Sequence, residues 1–348
     1  MNISEKYMNR CLELARLGMG DVAPNPMVGC VIVHQGKIIG EGFHKRYGEA
    51  HAEVNAINSV KDKELLKEST LYVSLEPCAH YGKTPPCSDL IIEHKVPHVV
   101  VGSGDPFAKV AGKGIEKMQK AGIKVEVGIL EEECLELNRR FFTFHEKKRP
   151  FIILKWAQSL DGFLDTDRSK ADFGQPTWIS NELSRRLVHR QRTEEAAILI
   201  GTNTAIKDNP SLTVREWSGK QPVRLVLDRQ GRLPDELNLK DGAVRTVVFT
   251  NQERENSNNL EFVKLDFNSS IPTQILNWLY QNELQSVIVE GGQKLLQDFI
   301  DQGLWDEAYV YTGQVNFGAG VSAPKLLKQP VSADYLDKSL LQMFVNKQ

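Results

Sequence analysis

Two α/β domains in tandem are the fold the sequence predicts, on three observations. The chain has 348 residues, more than one hydrophobic core ordinarily serves, because single cores stop growing somewhere below about 300 residues. Short apolar runs of strand length alternate with segments of helical period through both halves. Near the middle the charged run "EKKRP", ending at Pro150, interrupts that alternation and reads as a linker, which places one domain over 1–148 and the other over 149–348.

Each element follows in order. Met8, Cys11, Leu12 and Ala15 recur at helical spacing ahead of Gly18 and Gly20, which predicts an opening amphipathic helix. "MVGCVIVH" and "KIIGEGF" flank Gln35-Gly36, a tight-turn pair, and predict a hairpin. A helix from about His51, the strand "TLYVSL", a helix from about Cys87, the strand "HVVVG", a helix around Ile115 to Lys120 and the strand "KVEVGI" come next. That order implies a largely parallel sheet sandwiched by helices. A helix from Glu131 to about His145 closes the first half. In the second, "FIILKWAQSLDG", "AAILIG", "VRLVLD", "VRTVVFT" and "SVIVEGG" are buried-strand runs, with a helix near Glu182 to Arg192. "NQERENSNN" is a polar loop, and no repeat or low-complexity tract is evident.

Composition narrows the function classes. With 41% apolar and 25% charged residues the chain can bury substantial cores. No apolar run approaches the roughly 20 residues of a membrane-spanning helix, and "MNISEKYMNR" lacks the layout of a signal peptide. No membrane partner and a cytoplasmic location are therefore expected. Five cysteines, an odd number without framework spacing, fit a reducing compartment in which thiols bind metal or react. A net charge of −2 with dispersed Lys and Arg offers no stripe for a nucleic-acid backbone, so a small-molecule substrate is expected instead. Base rates favour a homo-oligomer.

His51, Cys78 and Cys87 supply one imidazole and two thiolates, a set suited to Zn²⁺ that leaves a fourth position open. His51 and Cys87 both stand at predicted helix starts, where unpaired N–H groups and the positive dipole end favour anionic thiolates. Glu53 lies two residues beyond His51, too close to be an independent ligand without strain. It is better placed as a catalytic proton shuttle, taking a proton from a metal-activated water and returning it to a departing amine. A closed, structural site would instead recruit Cys30, His44 or His80. The carboxylate beside a ligand and the lack of compact four-ligand spacing favour the open one. Cys11 and Cys134 sit at helical-period positions and read as core.

The order His-x-Glu then Pro-Cys resembles that of zinc deaminases, in which the second cysteine follows after two residues; here eight residues separate Cys78 from Cys87. With "PNPMVG", "GFHKRYGEAHAE" and "EPCAHYGKTPPC", the first half resembles the deaminase half of the bifunctional riboflavin-biosynthesis deaminase–reductase family. The resemblance implies a cytidine-deaminase-like three-layer domain and a diaminopyrimidinone ribosylamino phosphate as substrate. It places Asn25 on the pyrimidine or ribose, a task its amide suits by offering both donors and an acceptor. Lys83 could meet the phosphate. His44 and His80 keep no assigned role.

"ILKWAQSLDG", "WIS", "LIGTNTAIKDNPSLTVR" and "VEGGQKLL" resemble, in that order, the reductase half of the same family, so the likeness spans nearly the whole chain. It implies a dihydrofolate-reductase-like α/β domain and NADPH-dependent reduction of the ribosylamino sugar to a ribitylamino chain. It also implies cofactor contacts at Ala157, Trp178, Thr204 and Asp208, and substrate contacts at Leu212 and Arg215. Gly291-Gly292 follow a strand and open a helix, where backbone N–H groups can approach a pyrophosphate. Arg192 and Arg215 are apt phosphate binders, a guanidinium offering paired donors in a plane. Lys155 and Glu290 emerge from two apolar strands and should converge on one crevice as the catalytic pair, Glu290 also meeting substrate; the alternative is a structural ion pair.

One position departs from the family pattern. Pro176 stands where members usually carry a serine two residues before the tryptophan, so that contact is lost or is supplied by Thr177 or by "RSKADFG". Two rival readings are a nucleoside or RNA-base deaminase with an unrelated second domain, and a zinc-stabilised regulatory module. The long cysteine gap and weak basic character disfavour the first, and two motif sets in sequence disfavour the second.

Overall fold

The computed structural model describes residues 2–81, 85–106, 111–175 and 177–346, the side chain of Lys170 excepted. Lys83 and Pro176 lie outside the described residues. The chain divides into two compact units, Met1–Lys148 and Arg149–Gln348. No helix among the described residues is long and apolar enough to cross a membrane.

The first unit runs α1 (Ile3–Arg16), β1 (Gly29–His34), β2 (Lys37–Phe43), α2 (Ala52–Ser59), β3 (Thr70–Leu75), α3 (Cys87–Glu93), β4 (His98–Ser103), α4 (Lys113–Lys120), β5 (Lys124–Val127), α5 (Glu131–Leu137) and α6 (Arg139–Lys147). Asn2 caps α1 reciprocally with Glu5, and the helix buries Met8, Cys11, Leu12 and Ala15 as its periodicity requires. The strands form one sheet in the order β2-β1-β3-β4-β5. It is more mixed than expected: β1 pairs antiparallel with both β2 and β3, and only β3-β4 and β4-β5 are parallel. The Gln35-Gly36 hairpin causes this, because a two-residue turn can join only antiparallel strands.

Alternation along each strand builds three layers. Cys30, Ile32, Val73 and Val99 pack with Ala56 of α2, Ile91 of α3 and Met118 of α4 on one face. Val31, Val33, Tyr72 and Val100 pack with α1 and with Cys134 of α5 on the other. The single helix expected from Glu131 to His145 is two helices, broken at Asn138 (φ −104°, ψ 21°). The Asn138 amide accepts from Met27 N–H at 2.8 Å and donates to Met27 O at 2.9 Å. That long-range clamp competes with continuation of the helix.

The second unit contains β6 (Phe151–Gln158), β7 (Phe163–Asp165), α7 (Glu182–Glu194), β8 (Ala197–Gly201), α8 (Thr202–Asp208), β9 (Val223–Leu227), β10 (Thr246–Thr250), β11 (Leu260–Lys264), α9 (Ile271–Gln281), β12 (Ser286–Gly291), α10 (Gln293–Asp301), β13 (Glu307–Thr312), β14 (Val321–Ser322), β15 (Ser332–Leu336) and β16 (Ser339–Val345). Nine strands make its main sheet, β11-β10-β9-β8-β12-β6-β13-β16-β15. The pairings from β11 through β13 are parallel and the last two are antiparallel. Helices α9 and α10 cover one face through Ile275, Leu276, Leu296 and Phe299, and α8 covers part of the other through Ala205. The β15-β16 hairpin, β11 and β13 are absent from the strand runs read off the sequence.

Candidate functional sites

In the first unit α2 and α3 lie on the same face of the sheet, and their amino ends meet. His51 is the N-cap residue of α2, and Cys87 is the first residue of α3. His51 Nδ1 stands 3.7 Å from Cys78 Sγ and 3.4 Å from Cys87 Sγ, and the three ligand atoms lie within 4.8 Å of one another. Tetrahedral Zn²⁺, with Zn–S of about 2.3 Å and Zn–N of about 2.05 Å, requires N···S separations of about 3.6 Å. The donor set fits the ion in type and in spacing. Neither Cys30, His44 nor His80 joins the cluster among the described residues.

The thiols are electrostatically prepared. Cys78 is pulled down to about 4, first by its hydrogen bond with Cys87 and then by that with His51, while Cys87 is raised correspondingly. The two sulfurs titrate as a pair, and their closeness favours loss of the first proton. Cys87 N–H also donates to Cys78 Sγ at 3.3 Å, a helix-terminal amide on an anion. Glu53, 3% exposed in the first turn of α2, is pushed up to about 7, burial outweighing the attraction of His51.

Asn25 also lies at this centre's edge. Its Nδ2 is 3.0 Å from His44 Nε2, and His44 Nδ1 is 3.1 Å from Ala50 O. A carbonyl accepts only, so the ring proton sits on Nδ1 and Nε2 accepts from Asn25. His44 stacks edge-on against His51 at 5.3 Å. It is therefore a buried orienting group, a role that the sequence left open.

In the second unit a cleft of about 1060 Å³ opens at the carboxyl ends of the parallel strands. The catalytic, cofactor and substrate candidates named from sequence in this half line it: Lys155, Ala157, Trp178 and Arg192, then Thr204, Asp208, Leu212 and Arg215, then Glu290, Gly291 and Gly292. Glu290 occupies an irregularity in β12, where Val289 pairs with Leu199 but Gly291 with Ile200. The extra residue re-aims the carboxylate. Gly292 (φ 87°) turns the chain into α10, and a Cβ at Gly291 would sit 2.9 Å from Thr204 Cγ2.

Arg192 Nη2 donates to Glu290 Oε2 at 2.8 Å and Nε to Oε1 at 3.3 Å, a two-point pair. Its Nη1 donates to Thr213 O, so this guanidinium is committed chiefly to Glu290. Burial pushes Glu290 upward, but Arg192 and Lys155 outweigh it and hold the carboxylate at about 2. Burial lowers Lys155 from the ordinary lysine value, against the pull of Glu290. Tyr311, whose ring centroid lies 5.8 Å from Lys155 Nζ, is pushed up to about 12 by burial and then by Glu290.

Sequence pointed to Thr177 and to the insertion that begins at Arg168, but not to Arg224. Arg168 bonds both Asp165 and Asp208, and Thr177 donates to Asp165 at 2.8 Å; the insertion and the residue after Pro176 thus share one polar cluster on the cleft wall. Arg224, fully buried in β9, donates to Thr246, Asp241, Val244 O, Asn238 O and Ser211 O. It thereby braces the Asn209–Leu212 turn of the cleft from behind. An arginine inside the apolar run "VRLVLD" was its signal.

Comparison with known proteins agrees with both centres. Residues 1–103 match the cytidine and deoxycytidylate deaminase zinc-binding region, and residues 150–339 match the RibD C-terminal domain. The riboflavin biosynthesis protein RibD of Aquifex aeolicus is 42% identical over 330 residues, covering 92% of this chain and 89% of that protein. The chain belongs to the RibD family. The RibD of Escherichia coli is 37% identical, with 93% and 88% covered. Among solved structures, a diaminohydroxyphosphoribosylaminopyrimidine deaminase/5-amino-6-(5-phosphoribosylamino)uracil reductase from Thermotoga maritima superposes with a TM-score of 0.88 at 40% identity, covering 98% of each chain. RibD of Acinetobacter baumannii gives 0.88 at 32% identity, with 99% of each covered. As a RibD-family member the chain is a deaminase and reductase of riboflavin biosynthesis, with a zinc-binding deaminase domain and an NADPH-dependent reductase domain.

Proposed function

We propose that the first unit hydrolyses the amino group of 2,5-diamino-6-ribosylamino-4(3H)-pyrimidinone 5′-phosphate. The second unit then reduces the ribosyl group of the resulting 5-amino-6-(5-phosphoribosylamino)uracil to ribityl with NADPH. The convergence of His51, Cys78 and Cys87 beside the buried Glu53 is the observation that carries the first assignment. Zinc held by those three residues supplies the Lewis acidity that makes water nucleophilic near neutral pH. Glu53, in the first turn of α2 two residues beyond His51, takes the water's proton and returns it to the leaving amine. Asn25, its amide oriented by His44, presents its oxygen to a donor on the pyrimidine or ribose. Lys83, whose ammonium suits a phosphate, is assigned to the substrate phosphate.

NADPH bound in the cleft of the second unit would supply the hydride, and the residues of the chain position and protonate the substrate. Gly291, Gly292, Thr204, Asp208, Ala157 and Trp178 are the cofactor wall of the cleft, while Leu212 and Arg215 face the substrate. Lys155, which lines the cleft with Glu290, is the proton donor, and burial lowers its pKa from the ordinary lysine value. Glu290, held as a carboxylate by Arg192, is the fixed negative charge that acts on Lys155 through space and stabilises a developing iminium.

Mass-resolved product analysis with the diaminopyrimidinone phosphate tests both halves. Without NADPH the product should have exchanged one amino group for oxygen; with NADPH it should gain two further hydrogens. A chain that leaves the pyrimidine amino group intact under both conditions refutes the deaminase assignment.

A further inference from the structure

We infer that Glu76 is a positioning residue for the zinc centre, its carboxylate tying the segment that carries Cys78 to the loop entering α4. The inference rests on the reading of His51, Cys78 and Cys87 as zinc ligands. Glu76 is 4% exposed. Its Oε1 accepts from Gly114 N–H at 2.9 Å and Ile115 N–H at 3.3 Å; its Oε2 accepts from Gly112 N–H at 2.9 Å and Asp105 N–H at 3.4 Å. One carboxylate thus gathers four backbone donors.

Helix α4 has no side-chain cap of its own, since its N-cap is Gly112 at φ 74°. Glu76 supplies the missing acceptors from another element and places a negative charge at the positive end of the helix. The approach is close: a Cβ on Gly114 would lie 1.9 Å from Pro77 O. The first turn of α4 therefore packs against the peptide unit that leads into Cys78. On its other side Cys78 is held by Cys87 N–H on its Sγ at 3.3 Å and by Ser88 N–H on its carbonyl oxygen at 3.1 Å. Two clamps thus fix this ligand, one from α3 and one through Glu76. Groups that orient a ligand without touching the metal commonly govern metal affinity by about 10–100-fold.

Glu76→Gln and Gly114→Ala test this from opposite sides, in the full chain. The glutamine keeps the shape but turns an N–H₂ toward backbone donors, and the added methyl forces Pro77 away. Both variants should release zinc to a competing chelator about tenfold faster than wild type. Their cobalt-substituted forms should show altered visible absorption, and the kcat and KM of the reductase should stay unchanged. In the metal-free protein, amide exchange at Gly112, Gly114 and Ile115 should accelerate in Glu76→Gln while the β4 amides keep their protection, which general loosening would not give. Zinc retention and cobalt spectra equal to wild type in both variants would overturn this inference alone. A wild type that binds no zinc would overturn the ligand assignment and this inference with it.

Discussion

Glu53 and Glu290 are both buried carboxylates at the two proposed active sites, and the protein sends them in opposite directions. Glu53 is 3% exposed and is raised to about 7; the Glu290 side chain is 7% exposed and is held at about 2. Burial acts upward on both. The difference is the cation: Glu290 has a guanidinium at 2.8 Å and Lys155 in the same cleft, whereas Glu53 faces an imidazole and two sulfurs. In the metal-free protein burial therefore governs the carboxylate proposed to move a proton, and two cations govern the one proposed to stay charged.

Substitutions can break that contrast in a graded way. Glu53→Gln removes the shuttle and should lower kcat for deamination by about 10³-fold while reduction of the already deaminated substrate proceeds at the wild-type rate; equal loss of both activities would deny that the sites are separable. Glu290→Gln should cost the reductase about 10²-fold in kcat/KM, by leaving Arg192 without its counter-charge. It should also move the alkaline limb of the pH profile. Lys155 donates only when protonated, so activity falls as pH rises through its pKa, and because Glu290 raises that pKa its loss should shift the limb to lower pH. An unmoved limb would remove Lys155 as the donor. Least severe is Gly291→Ala, whose methyl would press on Thr204; overpacking of about 1 kcal/mol corresponds to a several-fold rise in KM for NADPH. Thr204→Ser, which lacks the clashing carbon, should restore most of it.

Much of the chemistry was legible because it depends on residue type and local position. A histidine and a cysteine at helix starts, with a carboxylate two residues along, can be read directly from "HAEVNAI" and "PPC". The central strands were equally plain, since a strand buried on both faces must be a continuous apolar run. The C-terminal β15 was harder, because it is the largely exposed edge of the sheet, and an exposed edge carries little hydrophobic signal. The helix break at Asn138 was hidden for another reason, because its cause is Met27, 111 residues away.

Residue types and their spacing thus determined the ligand set, the alternation of strands and helices, and the family. Tertiary structure alone decided the charge states and the aim of the side chains. Glu290 meets Arg192 across 98 residues through an irregularity in β12, and Glu76 meets the start of α4 across 36 to 39. Those outcomes depend on distance and burial between segments remote in the chain, and electrostatic and hydrogen-bond energies follow separation in space, not separation in sequence.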